Sequence, residues 1–144
     1  MLELAFLTID GEPVAKGRPR FRVIRKFVQT YTPAKTKKAE QHIREEIKKQ
    51  FVRKPFKLPL VVELDFFFSI PKSYTKKQRQ EIEDNYYYHT HKPDCDNLAK
   101  LVLDAMNGLV YEDDKQIFGL MITKRYAIDN RDVRTEIRIK RAIG

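Results

Sequence analysis

Leu60-Val61-Val62-Glu63-Leu64-Asp65-Phe66-Phe67-Phe68-Ser69-Ile70 is the stretch that decides the fold class. Its apolar and β-branched density reads as a strand in a central position, where neighbours and cover leave little room for polar residues. Upstream, Ala34 to about Phe51 carries Ala39, Ile43, Ile47 and Phe51 as one apolar stripe at helical spacing, with Lys and Arg on the other faces. Thr32-Pro33 supplies a capping oxygen and a first-turn proline for that helix, and Pro55 and Pro59 end it. Downstream, Pro71 to Thr75 opens a short polar helix running to about Asp84.

Further out, Leu2 to Ile9 is almost continuously apolar and reads as a strand buried on both faces. Gly11-Glu12-Pro13 breaks it, and Lys16-Gly17-Arg18-Pro19-Arg20 has no helical period and reads as a loop. Phe21 to Ile24 and Phe27 to Tyr31 have strand composition and predict a ribbon carrying Arg22, Arg25 and Lys26 outward. Tyr86-Tyr87-Tyr88-His89-Thr90-His91 is β-prone, Asn97 to Met106 reads as a helix stopped by Gly108, and Gln116 to Tyr126 reads as a strand. Val133, Thr135, Ile137 and Ile139 alternate with Arg134, Glu136, Arg138 and Lys140, the pattern of a half-buried strand with a charged outer face. The order of elements predicts an α+β fold: a single domain over residues 1–144, with a mixed, largely antiparallel sheet packed against two or three helices.

The net charge of +9 is concentrated: between Lys16 and Lys57 lie fifteen Lys or Arg and three acids, Glu40, Glu45 and Glu46. That asymmetry points to a polyanion partner, against the alternative of a basic surface kept for solubility. No apolar run approaches the roughly 20 residues of a membrane span, and the N-terminus lacks a signal-peptide pattern, so a cytoplasmic protein without membrane contact is expected. The single Cys95 forms no internal disulfide, in keeping with a reducing compartment.

Against this basic background, Asp94, Asp96, Asp104, Glu112, Asp113 and Asp114 crowd six carboxylates into one short stretch. Clustered carboxylates repel one another unless a cation holds them, and hard oxygen ligands suit Mg²⁺ or Mn²⁺ together with substrate phosphates. Pro93 biases Lys92 toward extended backbone, so Asp94 and Asp96 are expected on one side with Cys95 facing away. Asp96 or Asn97 is expected to cap the following helix, whose buried stripe is Leu98, Leu101, Val102 and Ala105 and whose opposite face holds Asn97, Lys100 and Asp104. A reversal at Gly108 permits Asp114 to return beside Asp94 and Asp96. Asp104 reads equally as a ligand or as a salt-bridge partner of Lys100.

The string Lys92-Pro93-Asp94-Cys95-Asp96-Asn97-Leu98-Ala99-Lys100, then Asp104 to Gly108 and Tyr111 to Ile117, resembles the RusA family of Holliday junction resolvases. Gly11-x-Pro13, Lys16 to Arg20 and Tyr31-Thr32-Pro33 are similar to its phage and prophage members. The resemblance implies a homodimeric, Mg²⁺-dependent endonuclease that nicks four-way DNA junctions symmetrically in recombination and repair, with no small-molecule cofactor. By position it puts the catalytic aspartates on Asp94, Asp96 and Asp114, the catalytic lysine on Lys100, and a further acidic position, counted with the metal ligands, on Asp113.

The expected DNA contacts are Lys16, Arg18, Arg20, Arg22, Arg25, Lys26, Lys35, Lys37, Lys38 and Lys92. Rival readings are a non-enzymatic basic nucleic-acid-binding module and a carboxylate-metal nuclease acting on other DNA or RNA structures. Zinc held by His89, His91 and Cys95, and base stacking by Tyr86 to Tyr88, are minor readings beside phosphate-proximal histidines and core tyrosines.

Overall fold

The computed structural model describes residues 1–17, 20–31 and 33–143, with backbone alone for residues 20, 21 and 31. In chain order the elements are β1 (Leu2–Asp10), β2 (Arg20–Ile24), β3 (Phe27–Tyr31), α1 (Ala34–Gln50), β4 (Leu60–Phe68), α2 (Lys76–Glu83), α3 (Cys95–Met106), β5 (Ile117–Tyr126) and β6 (Arg134–Arg141). Four strands form one sheet in the order β1-β6-β4-β5, and β2 pairs with β3 in a separate ribbon. β1/β6 and β6/β4 are antiparallel while β4/β5 is parallel, so the α+β fold with a mixed sheet is as expected. A parallel pair needs a crossover connection, and α2 and α3 lie within it.

β4 is central, between β6 and β5. Its residues alternate: Leu60, Val62, Leu64, Phe66 and Phe68 are buried with Ile137 and Ile139 of β6 in one apolar core. The other face is open and charged, and it neutralises itself. Arg138 reaches Asp65 at 3.1 Å, Lys140 reaches Glu63 at 2.8 Å and Arg134 reaches Glu136 at 3.2 Å.

β1 departs from the expectation of burial on both faces. Among the described residues it is an edge strand that pairs with β6 alone, with Leu7 and Ile9 buried and Phe6 exposed beneath the Arg138 guanidinium at 4.6 Å. An apolar run cannot report whether a second neighbour will arrive.

α1 buries Ile43 and Ile47 as its stripe predicts, and packs on α3 and β1. Its N-cap is Pro33, with no side-chain cap bond; Thr32 lies outside the described residues. α2 begins at a capping box in which Thr75 and Gln78 exchange side-chain and backbone bonds. Tyr86 to His91 form no strand. Tyr87 and His89 turn inward against Tyr74, Phe68 and Tyr126, while Tyr86 and Tyr88 stay exposed. The alternation of a strand is present there, but no neighbouring strand is, and aromatic packing holds the segment instead.

α3 buries Leu98, Ala99, Leu101, Val102, Ala105 and Met106 and lies on β5. Among the described residues, no helix is long and apolar enough to cross a membrane.

Candidate active site

The site is arranged along α3, and its two ends are built differently. At the first end the chain turns helical at Cys95, two residues before the expected Asn97, with Leu98 N donating to Asp94 O at 3.1 Å. Asp94 is therefore the N-cap, in extended backbone, and Asp96 belongs to the first turn. The pair flanks a helix N-terminus instead of sharing one side of a strand, because the apolar stripe starting at Leu98 draws the chain into the helix early.

Asp94 makes no side-chain cap bond, which leaves the first-turn amides open. Among the described residues the side chains of Asp94, Asp96 and Lys100 take part in no hydrogen bond or ion pair, and all three residues are exposed. Unpaired amides and the positive end of the helix dipole favour a phosphate oxygen here. Lys92, Pro93, Asp94 and Asn97 border a cleft of about 420 Å³.

The turn leading into α3 is stapled to β5. Lys124 Nζ donates to His91 O at 2.6 Å and to Pro93 O at 2.9 Å. Nothing in the sequence separates Lys124 from Arg125 as the cation for this task; the β4/β5 register decides it. Beneath the turn, His89 is buried and stacked on Phe68 at 4.1 Å, and its Nδ1 has no hydrogen-bond partner among the described residues. Burial first, and then the Lys124 charge, push the His89 pKa below its usual value. It is a neutral packing residue. The expectation of phosphate-proximal histidines on a strand therefore fails for His89, whereas His91 is exposed.

The far end of α3 is locked. Asp104 pairs with Lys16, not with Lys100, while the Lys16 backbone N donates to Asn97 O near the helix start at 3.0 Å, so this strap runs along the helix. Gly17 N donates to Thr36 Oγ1 at 2.9 Å, and a Cβ on Gly17 would lie 2.8 Å from that oxygen, so only glycine lets this strap run between α1 and α3. Arg44 Nη1 donates to Ala105 O at 3.2 Å and Asn107 O at 3.0 Å, capping the C-terminus. Gly108 has φ +80, the left-handed stop expected of it.

Tyr111 then buries its ring and donates its hydroxyl to Leu103 O at 2.5 Å. Its phenol is pushed far above the ordinary range, chiefly by burial and then by the charges of Asp114, Asp104 and Asp113. Asp113 caps a single 3₁₀ turn, accepting from Lys115 N at 2.9 Å, and that bond holds its carboxyl below the usual range. Gln116 locks the turn by donating to Phe56 O at 2.9 Å and Leu58 O at 3.1 Å.

Asp114 and Leu103 border one cavity of about 270 Å³ with Ile117 to Leu120. Exposed Asp96 and Lys100 and half-buried Leu103 are spaced at four and three residues, so one face of α3 runs from the N-terminal acids through Lys100 to the residue that shares a cavity with Asp114. Leu103 lies nine residues beyond Asp94, about 14 Å at 1.5 Å per residue. Correspondingly, among the described residues no three His, Cys, Asp or Glu are gathered as a metal-holding group, whether for Mg²⁺ or for zinc. Mg²⁺ binds through one or two carboxylates plus substrate phosphates. The unengaged Asp94 and Asp96 beside open amides fit such a two-carboxylate site.

Of the expected DNA contacts, Lys35, Lys37, Lys38 and Lys92 are exposed, and Arg25 and Lys26 form the ribbon turn. Arg22 Nε donates to Gln29 Oε1 at 3.0 Å. Lys16 is half-buried and its ammonium pairs with Asp104. Arg18 and the side chain of Arg20 lie outside the described residues.

A family model described as endodeoxyribonuclease RusA matches residues 10–140. The chain is also 34% identical over 126 residues to uncharacterized protein YqaN of Bacillus subtilis (strain 168), covering 86% of this chain and 89% of that one. With a match from the last residue of β1 to the penultimate residue of β6, the chain belongs to the RusA endodeoxyribonuclease family.

Proposed function

We propose that this chain is a Mg²⁺-dependent endonuclease that resolves four-way DNA junctions by paired nicks, acting as a homodimer in recombination and repair, with Mn²⁺ able to substitute. The observation that carries the reading is the exposed face of α3, where Asp94, Asp96 and Lys100 are unengaged and lead toward Asp114.

Asp94 and Asp96 would hold the metal through carboxylate oxygens. When bound, Mg²⁺ supplies Lewis-acid polarisation of the phosphoryl group and of an attacking water. The amides of the first α3 turn orient one phosphate. A DNA backbone lying along this face meets the helix N-terminus at one end and Asp114 at the other. Lys100, between them, offsets negative charge that grows on the phosphorus and on the leaving oxygen, and this contributes most in the transition state. Asp114 is the third acid, held in place by the Tyr111 and Gln116 contacts. Exposed Lys35, Lys37, Lys38 and Lys92 attract the junction arms, an attraction that falls steeply with salt. Two coordinated nicks on opposite strands need two sites related by a twofold axis.

The test is incubation of a labelled four-way junction with Mg²⁺ or EDTA, beside linear duplex, flap and RNA of matched length. Metal-dependent, symmetric cutting of the junction alone is expected. Equal cutting of flap or RNA would reassign the substrate, and tight binding without cutting in any metal would make the chain a binding module.

A further inference from the structure

We propose that the β2–β3 ribbon is a wedge that enters the branch point of the DNA substrate, its basic apex on phosphates and its apolar side chains against exposed base pairs. The inference rests on the reading above that the chain acts on branched DNA, and it identifies how the branch is recognised.

The ribbon is built in a way that no packing among the described residues explains. Val23 is 72% exposed, Val28 69%, Ile24 45% and Phe27 77%. None of them belongs to the core cluster or to the residues packed against it. The register pairs Val23 with Val28 and Ile24 with Phe27. Successive residues of a strand point to opposite faces, so the two pairs lie on opposite sides of the ribbon. Both sides are therefore apolar near the tip. A partner protein docking on a two-stranded ribbon covers one face, whereas a slot covers both. DNA offers such slots, in a major groove wide enough for a two-stranded ribbon and in the opening between arms at a branch.

The apex specifies the sign of the partner. Arg25 and Lys26 occupy the two turn positions with φ 47 and φ 70. Those are positions where Asn and Gly cost least, so two cations there place positive charge at the apex against backbone preference. At the base of the ribbon, β3 leads within a few residues into α1, whose exposed Lys35, Lys37 and Lys38 extend the basic surface. Apolar flanks behind a basic tip resemble the arrangement by which proteins insert side chains between base steps while holding the backbone electrostatically.

The experiment measures binding in EDTA, so that no cutting occurs, to a four-way junction carrying 2-aminopurine at the branch and to a linear duplex with the same label. Wild type should raise the junction fluorescence as the branch-point base unstacks. Phe27→Ser should abolish that rise and reduce the preference for junction over duplex about tenfold, the scale of one lost base–aromatic contact. Val23→Ser with Val28→Ser should act in the same direction. Lys26→Ala should instead weaken binding to junction and duplex alike and lower the salt slope by about one.

Because these side chains lie outside the core, thermal stability should be unchanged, which separates the effect from misfolding. Phe27→Ser with wild-type fluorescence and preference overturns the proposal. So does a wild type that binds junction no better than duplex, or a Phe27→Ser variant that turns a dimer into monomers, which would make the ribbon a contact between copies. Failure of wild type to cut with Mg²⁺ would sink the nuclease reading, while the fluorescence result in EDTA would still decide the wedge.

Discussion

The two ends of α3 are made from the same helix and do opposite things. At Asn107 the helix is closed by Arg44, by the left-handed Gly108 and by the Tyr111 hydroxyl on Leu103, and nearly every polar group there is satisfied. At Asp94 the helix begins with unsatisfied amides and two unengaged carboxylates, and the turn before it is held by one cation, Lys124. Two exposed carboxylates without partners add no ion-pair stability here, so the other end and the buried stripe anchor the helix. The bonds are concentrated at the closed end, and the open end is left unengaged, as the proposed phosphate and metal site needs.

If that division holds, the ends respond to mutation in different currencies. The largest effect is expected at the open end. Asp94→Asn should lower Mg²⁺-dependent junction cutting by at least about a hundredfold, since even residues that only support metal ligands cost 10–100-fold. Its melting temperature should stay at or above wild type and junction binding should persist, because a repelling charge is gone. Cutting at the wild-type rate would remove Asp94 from the site.

At the closed end, Gly108→Val should cost about 1–2 kcal/mol of stability, the usual penalty for an L side chain in left-handed backbone. A Cβ there meets nothing within 4 Å, so the cost is conformational and Gly108→Asn should recover most of it. Thermal melts of the two variants, read beside their single-turnover rates, test whether this turn also positions Asp114. An unimpaired valine variant would detach Asp114 from the turn.

A smaller, cleaner effect is expected at Lys124. Lys124→Met removes both bonds to the turn before Asp94 and should lower the single-turnover rate about tenfold with little change in DNA affinity, because slight misplacement of a reacting group costs rate. Lys124→Arg should rescue the rate. Unchanged rates in the methionine variant would show that the turn holds itself.

The smallest effect concerns pH. His89 has its pKa lowered in the fold by burial and by Lys124, with His91 adding to the same direction. The unfolded chain therefore binds more protons as pH falls below about 6.5, so the stability contributed by neutral His89 is complete above that pH and is lost on the acid side. Chemical denaturation from pH 7.5 to 5 should show this decline. His89→Phe, which keeps the stack on Phe68, should flatten it, and an identical slope in that variant would assign the decline to other groups.

The core was legible in the sequence wherever one element's own period carried the information. The β4 run, the alternation of Val133 to Lys140, the α1 stripe and the α3 stripe all fell where expected. The Lys92–Lys100 string with Asp113-Asp114 led to the family. Misreadings occurred where two distant segments had to meet. β1 looked interior because apolar density does not say how many neighbours a strand has. Asp104 was read as pairing with Lys100 as readily as binding a metal, but its partner Lys16 lies 88 positions away. His89 looked like a polar site residue until Phe68 and Tyr126 enclosed it.

The sequence by itself determined the α+β class, the central strand, the helix that carries the acids and the family to which those acids belong. Each of these is written in spacings of two to four residues or in a contiguous motif, and backbone periodicity acts on that scale. The tertiary structure alone decided which cation staples the turn before Asp94, which cation pairs with Asp104, and that Asp114 borders the same cavity as Leu103 of α3. Those outcomes depend on strand register and helix placement, which are settled by packing across the whole core and leave no local pattern to read.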